Sequence, residues 1–97
     1  MSYAVVWREN EGPMHVGRLE LDGHGLCLVG AESRRLAFGE LARVGVERRP
    51  PARLAGRPTL VAEERGGAVF HVACVQGLGS LLEVVETIEA GRRNAVA

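Results

Sequence analysis

Through the first three quarters of the chain, apolar and polar residues alternate at every second position, the pattern of strands that bury one face. Tyr3 to Arg8 opens the series and is apolar on both sides, with Tyr3, Val5 and Trp7 on one face and Ala4 and Val6 on the other. After the turn-like Asn10-Glu11-Gly12-Pro13, residues His15 to Asp22 set Leu19 and Leu21 against Arg18, Glu20 and Asp22. Asp22-Gly23-His24-Gly25 supplies the positive-φ residues that a tight hairpin wants, and Leu26 to Gly30 runs back as a third strand. Ser33 to Phe38 is a short fourth, with Leu36 and Phe38 on one face, and Arg43 to Arg48 resumes the alternation through Val44 and Val46. Thr59 to Glu64 and Ala68 to Val75 flank Arg65-Gly66-Gly67, whose Gly-Gly centre marks another hairpin. Seven strands are predicted.

The period then changes to that of a helix. Ser80-Leu81-Leu82-Glu83 reads as a capping box, in which the Ser hydroxyl and the Glu carboxylate each satisfy a free backbone amide. Leu81, Leu82, Val85 and Ile88 form the expected apolar stripe, with Glu83, Glu86 and Glu89 opposite. Gly91 followed by Arg92-Arg93 reads as a C-terminal stop, so the helix is expected over about 80–90 with a frayed tail at 92–97. The longest loop falls between the fifth and sixth strands at 49–57, where Pro50 and Pro51 remove ladder donors.

Ninety-seven residues, 46% of them hydrophobic, suit one domain over 1–97 with its core at about 3–91. The twelve cations are all Arg and are balanced by twelve acids, so the molecule projects no strong field toward nucleic acid or anionic membrane. Neither a basic, apolar leader nor a bilayer-length run is present, and a cytoplasmic protein is expected. Cys27 and Cys74 sit in apolar stretches and read as reduced, buried thiols.

Seven strands and one amphipathic helix, with the Gly17-Arg18-Leu19-Glu20-Leu21-Asp22 to Leu26-Cys27-Leu28-Val29 hairpin and the Leu36 to Val44 crossing, resemble pleckstrin-homology-like domains of the GRAM and bacterial type. The likeness covers about residues 3 to 90 and rests on element order. It implies a mainly β fold: a seven-stranded antiparallel, partly open barrel of two near-orthogonal sheets, capped by the C-terminal helix. Relatives that bind phosphoinositides carry a Lys/Arg cluster in the first hairpin. Here the stretch from Arg8 to Arg18 sets two Arg and one His beside two Glu, so a charged headgroup would meet little net positive potential.

Catalytic patterns do not assemble. Glu63 and Glu64 are strand neighbours and point to opposite faces, as do His71 and Cys74. His15, His24 and His71 are isolated from one another, without the spacing of a metal site, and Gly77-Leu78-Gly79-Ser80 lacks the lysine and glycine spacing of a phosphate loop. No catalytic residue, metal or cofactor is expected. Two binding features remain. Tyr3, Val5 and Trp7 are either buried between sheet and helix or form a contact for a second copy or a partner strand, anchored by Trp7. Arg48, Arg49, Arg53 and Arg57 are either a solvated loop or a docking site for an anion, with Arg8 or Arg18 assisting. That loop lacks interleaved aromatics, so nucleic acid is not the expected partner, and membrane contact would depend on this local patch. The function expected is a non-catalytic interaction module that binds a protein partner or itself through a sheet edge and loops; the alternative is anion or lipid-headgroup binding through 48–57.

Overall fold

The computed structural model describes residues 2–49 and 53–95. Pro50 to Ala52, at the centre of the arginine-bearing loop, and the last two residues of the expected tail lie outside the described residues. Among the described residues seven strands are present: β1 Ser2–Glu9, β2 His15–Leu21, β3 Gly25–Val29, β4 Ser33–Ala37, β5 Leu41–Glu47, β6 Thr59–Glu64 and β7 Val69–Cys74. A 3-10 turn, Phe38–Glu40, joins β4 to β5, and one helix, α1, spans Leu78–Ala95. No helix among the described residues is long and apolar enough to cross a membrane.

All neighbouring strands are antiparallel and follow the order β4-β3-β2-β1-β7-β6-β5 in one continuous sheet. The sheet curls into a half-barrel whose opening, between β4 and β5, is spanned by the 3-10 turn and α1. β1 is therefore the central strand, which explains why it is apolar on both faces. Tyr3, Val5 and Trp7 point inward to the core with Leu19, Leu28, Leu36, Leu60, Phe70 and Val72. Trp7 is fully enclosed, and its indole N–H donates to the Val29 carbonyl at 3.4 Å.

Two hairpins are shaped by devices other than the expected ones. Between β2 and β3 the glycines do not take positive φ. Asp22 turns the chain instead, its Oδ1 accepting from the amides of His24 at 2.7 Å and Gly25 at 2.9 Å. Gly25 is needed for closeness, since a Cβ there would stand 2.3 Å from the Leu36 carbonyl oxygen. Asn10, with φ 53°, ties the β1–β2 turn to β7: its Oδ1 accepts from the Val69 amide while its own amide donates to the Val69 carbonyl.

Helix α1 differs from expectation at both ends and on its buried face. It begins at Leu78, behind Gly77 at φ 102°, and the Leu81 amide donates to the Gly77 carbonyl. The capping box does not form, because Ser80 lies within the helix and Glu83 turns its carboxylate to the Tyr3 hydroxyl, 3.3 Å away. At the other end the helix runs through Gly91 and includes Arg92 and Arg93. Gly91 is a contact point rather than a stop, since a Cβ there would lie 2.2 Å from the Phe38 ring. The fully buried residues are Leu81, Val84 and Ile88, with Val85 partly covered, whereas Leu82 is 40% exposed. Positions 81, 84, 85 and 88 are the i, i+3, i+4, i+7 face, and Leu82 falls beside it.

Candidate interaction edge

A half-barrel has two free edges, and these two are built differently. β4 is the shorter, and charges guard it: Arg34 pairs with Glu9 at 2.8 Å and also donates to the Ser33 carbonyl, while Arg35 pairs with Asp22 at 3.0 Å. The Asp22 carboxyl is held below its usual range, first by the His24 amide and then by Arg35. Ion pairs of this kind blunt an edge against further strand pairing.

β5 is longer and closed only at its start. A bulge between Leu41 and Arg43 shifts its register on β6, and Arg92 of α1 donates to the Ala42 carbonyl at 2.9 Å. From Arg43 to Glu47 the outward amides and carbonyls have no partner among the described residues. The side chains alternate in step with β6. Val44 and Val46 lie opposite Ala62 and Leu60 and pack on the core, and Arg43, Gly45 and Glu47 face outward opposite Glu63, Val61 and Thr59. Arg43 meets Glu63 at 2.7 Å. Arg49 grips Glu47 with two guanidinium nitrogens, each at 3.0 Å, and its amide also donates to that carboxylate. The Arg49 guanidinium, followed by that amide, holds the Glu47 carboxyl down at about 2.

Beside this edge, a cleft of about 500 Å³ is bordered by Val44, Gly45, Val46, Val61, Arg49 and His71. Gly45 leaves the outward side of the edge low. Across the sheet from it run Val61, His71 and Arg8, which are register partners in turn. The Arg8 Nε and His71 Nδ1 are buried without hydrogen-bond partners among the described residues. Burial lowers the His71 pKa, Arg8 lowers it further, and Glu11 opposes both.

The positions singled out in the sequence separate into distinct places. Tyr3, Val5 and Trp7 are core residues in a strand paired on both sides, and this corrects the expectation that they could form a contact surface. The local alternation that selected them does not report that β7 covers the second edge of β1. Arg48, Arg49, Arg53 and Arg57 do not converge on an anion site. Arg49 is spent on Glu47, the Arg53 Nε donates to the Arg48 carbonyl at 2.7 Å, and Arg57 donates to the Val75 carbonyl at 3.0 Å. The end of their loop is pinned: Leu54 is buried and donates its amide to the Thr59 hydroxyl, and Ala55 and Gly56 make the turn at positive φ. Arg8 lies on the outer face beside His71, and Arg18 lies on β2 with Glu20 at 3.8 Å.

His71 and Cys74 take opposite faces of β7, and burial raises the Cys74 thiol pKa. Cys27 and Cys74 are free thiols. His15 packs against Trp7 with ring centroids 4.4 Å apart and planes tilted by 37°, and lies 3.6 Å from Glu32. Among the described residues, no group of three His, Cys, Asp or Glu side chains is placed to hold a metal ion. Sequence reasoning missed Arg43 to Glu47 as a surface, because a strand's position at an edge is a property of the sheet order.

The chain matches no family model and no curated protein. Among solved structures it is similar to the C-terminal domain of an unknown protein from Leishmania infantum, at a TM-score of 0.65 and 12% identity, over 91% of this chain and 81% of that one. At that identity the likeness concerns the fold alone.

Proposed function

We propose that the chain is a non-catalytic interaction module of the bacterial pleckstrin-homology-like kind, working in a reducing cytoplasm, and that it engages a protein partner by strand addition at β5. The observation that carries this reading is the run of outward backbone groups from Arg43 to Glu47 that have no partner among the described residues, bordered by half-buried valines, whereas the shorter β4 has its Ser33 carbonyl taken by Arg34. In strand addition, main-chain hydrogen bonds supply affinity and side-chain pockets supply selectivity, and the cleft at Val61 and His71 offers such a pocket. The free thiols agree with a reducing compartment. The anion reading is weaker, since three of the four loop arginines already hold a carboxylate or a carbonyl.

A photo-crosslinking side chain placed at position 43 or 45, and separately at position 35 on β4, tests this in the cells that make the protein. Adducts from the β5 positions and few from β4 are expected. Equal yields from the two edges, or none from β5, would overturn it.

A further inference from the structure

Resting on that reading, we propose that the partner at β5 is a second copy of this chain, joined antiparallel about a two-fold axis at Gly45. The free segment reads Arg43-Val44-Gly45-Val46-Glu47, and it is complementary to its own reverse. In an antiparallel pair centred on residue 45, Arg43 of one copy faces Glu47 of the other, Val44 faces Val46, and Gly45 faces Gly45. Directly opposed residues on antiparallel strands lie on the same face of the sheet. That condition is met throughout, since 43, 45 and 47 all point outward and 44 and 46 all point to the core side. The two-fold makes every contact off the axis occur twice, as a closed symmetric interface requires.

The ends of the segment agree with the same centre. Toward the chain start, the Leu41/Arg43 bulge and the Arg92 bond to Ala42 stop the ladder just before residue 43. Toward the chain end, β5 finishes at Glu47, where Arg49 folds back onto the carboxylate. Pairable backbone therefore runs from 43 to 47, and its midpoint is the residue that has no side chain. Two outward side chains opposed at the axis would face each other directly. Gly45 removes that conflict, and no atom of the described residues lies within 4 Å of its Cβ position.

Each charge already has a partner within the chain and is shared with the second copy in this pairing. Arg43 is 76% exposed while touching Glu63, so its guanidinium can bridge Glu63 and the opposing Glu47 at once. The Glu47 side chain is 25% exposed and held by Arg49 at 3.0 Å, so the opposing Arg43 shares that carboxylate with Arg49. On the core side, Val44 and Val46 are only partly covered within one chain, and the pairing gives each a valine neighbour.

Light scattering after size exclusion over a range of concentrations tests the proposal with charge reversals. Wild type should approach twice the 10.4 kDa chain mass as concentration rises. Arg43→Glu and Glu47→Arg, each alone, set like charges opposite one another and should weaken the dimer by about tenfold or more. Mixed one to one, the two variants present only opposite charges to each other and should form a heterodimer. The double variant Arg43→Glu/Glu47→Arg should regain self-association. Circular dichroism checks that each variant is folded. Should one fail to fold, Gly45→Cys in a Cys27→Ser background decides, because it should give a disulfide-linked dimer on oxidation while Val16→Cys does not.

A wild type monomeric at every concentration, single variants that dimerise as wild type does, or a mixture that stays monomeric would each overturn the two-fold pairing. A monomeric chain whose β5 photoadducts in cells join it to a different protein would end the self-pairing and leave the edge reading standing. A monomer without β5 adducts would end both.

Discussion

Replacing Gly91 by alanine sets two effects of opposite sign against each other. Alanine in a helix interior is favoured over glycine by about 0.8–1 kcal/mol, so propensity alone makes the variant more stable. The tertiary contact opposes this. The new Cβ would lie 2.2 Å from Phe38 Cδ2 and 2.3 Å from Cε2, whereas carbon atoms in contact prefer about 3.5–4.0 Å. Relief needs a displacement of more than about 1 Å, and neither side yields readily. Phe38 is only 3% exposed, and α1 is held on both sides of Gly91 by Ile88 in the core and by the Arg92 bond to Ala42. Overpacking of this kind costs about 1–3 kcal/mol and sometimes more. Contacts at 2.2 and 2.3 Å put this clash toward the upper end, about 2–3 kcal/mol, so after the gain in propensity the net expectation is a loss of about 1–2 kcal/mol, which for a domain of this size lowers the melting temperature by roughly 5–15 °C. Trp7 is the sole tryptophan and is fully buried, so its fluorescence follows denaturant unfolding directly. Phe38→Leu should cost less in the Gly91→Ala background than in wild type, because the smaller side chain relieves the clash. A Gly91→Ala protein as stable as wild type or more so would refute the packing argument and return Gly91 to the role of a helix stop.

Three further outcomes are expected. A chain ending at Gly77 loses Leu81, Val84 and Ile88, whose burial contributes about 1.5–3 kcal/mol each, and should show no cooperative unfolding by calorimetry; a sharp transition would contradict this. Cys27 is half-buried on the outer face whereas Cys74 is enclosed with a raised pKa, so a thiol reagent should label one site quickly and the second only at the rate of opening. Equal labelling rates would argue against the burial of Cys74. The Glu47 carboxyl is depressed from 4.5 to about 2 in the folded chain, so its contribution is complete above pH 4.5 and is lost as pH falls toward 2. Arg49→Ala removes that contribution, and the stability curves of wild type and variant should converge over this window; curves that stay parallel there would refute the assignment.

Strand positions were legible because a two-residue period is a local property, and each of the seven strands lies within a few residues of its predicted span. What the sequence hid depends on partners distant in the chain. The capping box at Ser80 and Glu83 was a sound local signal, but Tyr3, eighty residues away, takes the Glu83 carboxylate. Gly91 looked like a terminus because glycine commonly ends helices, while its actual constraint comes from Phe38 on the 3-10 turn. Hydrophobicity alone puts Leu82 in the buried stripe, although Val84 holds the better angular position. The arginine loop shows the same limit: its charges were visible, but their commitment to Glu47 and to two backbone carbonyls was not.

The central place of β1 also bears on how the protein is made. Its first neighbour follows at once, but its second, β7, is translated about 65 residues later. At a ribosomal pace of about 5–20 residues per second, one flank of Tyr3 to Trp7 waits several seconds for its cover. During synthesis the hazard thus lies in the strand that ends up best protected, and a nascent chain stalled before Val69 would be the form most in need of a chaperone.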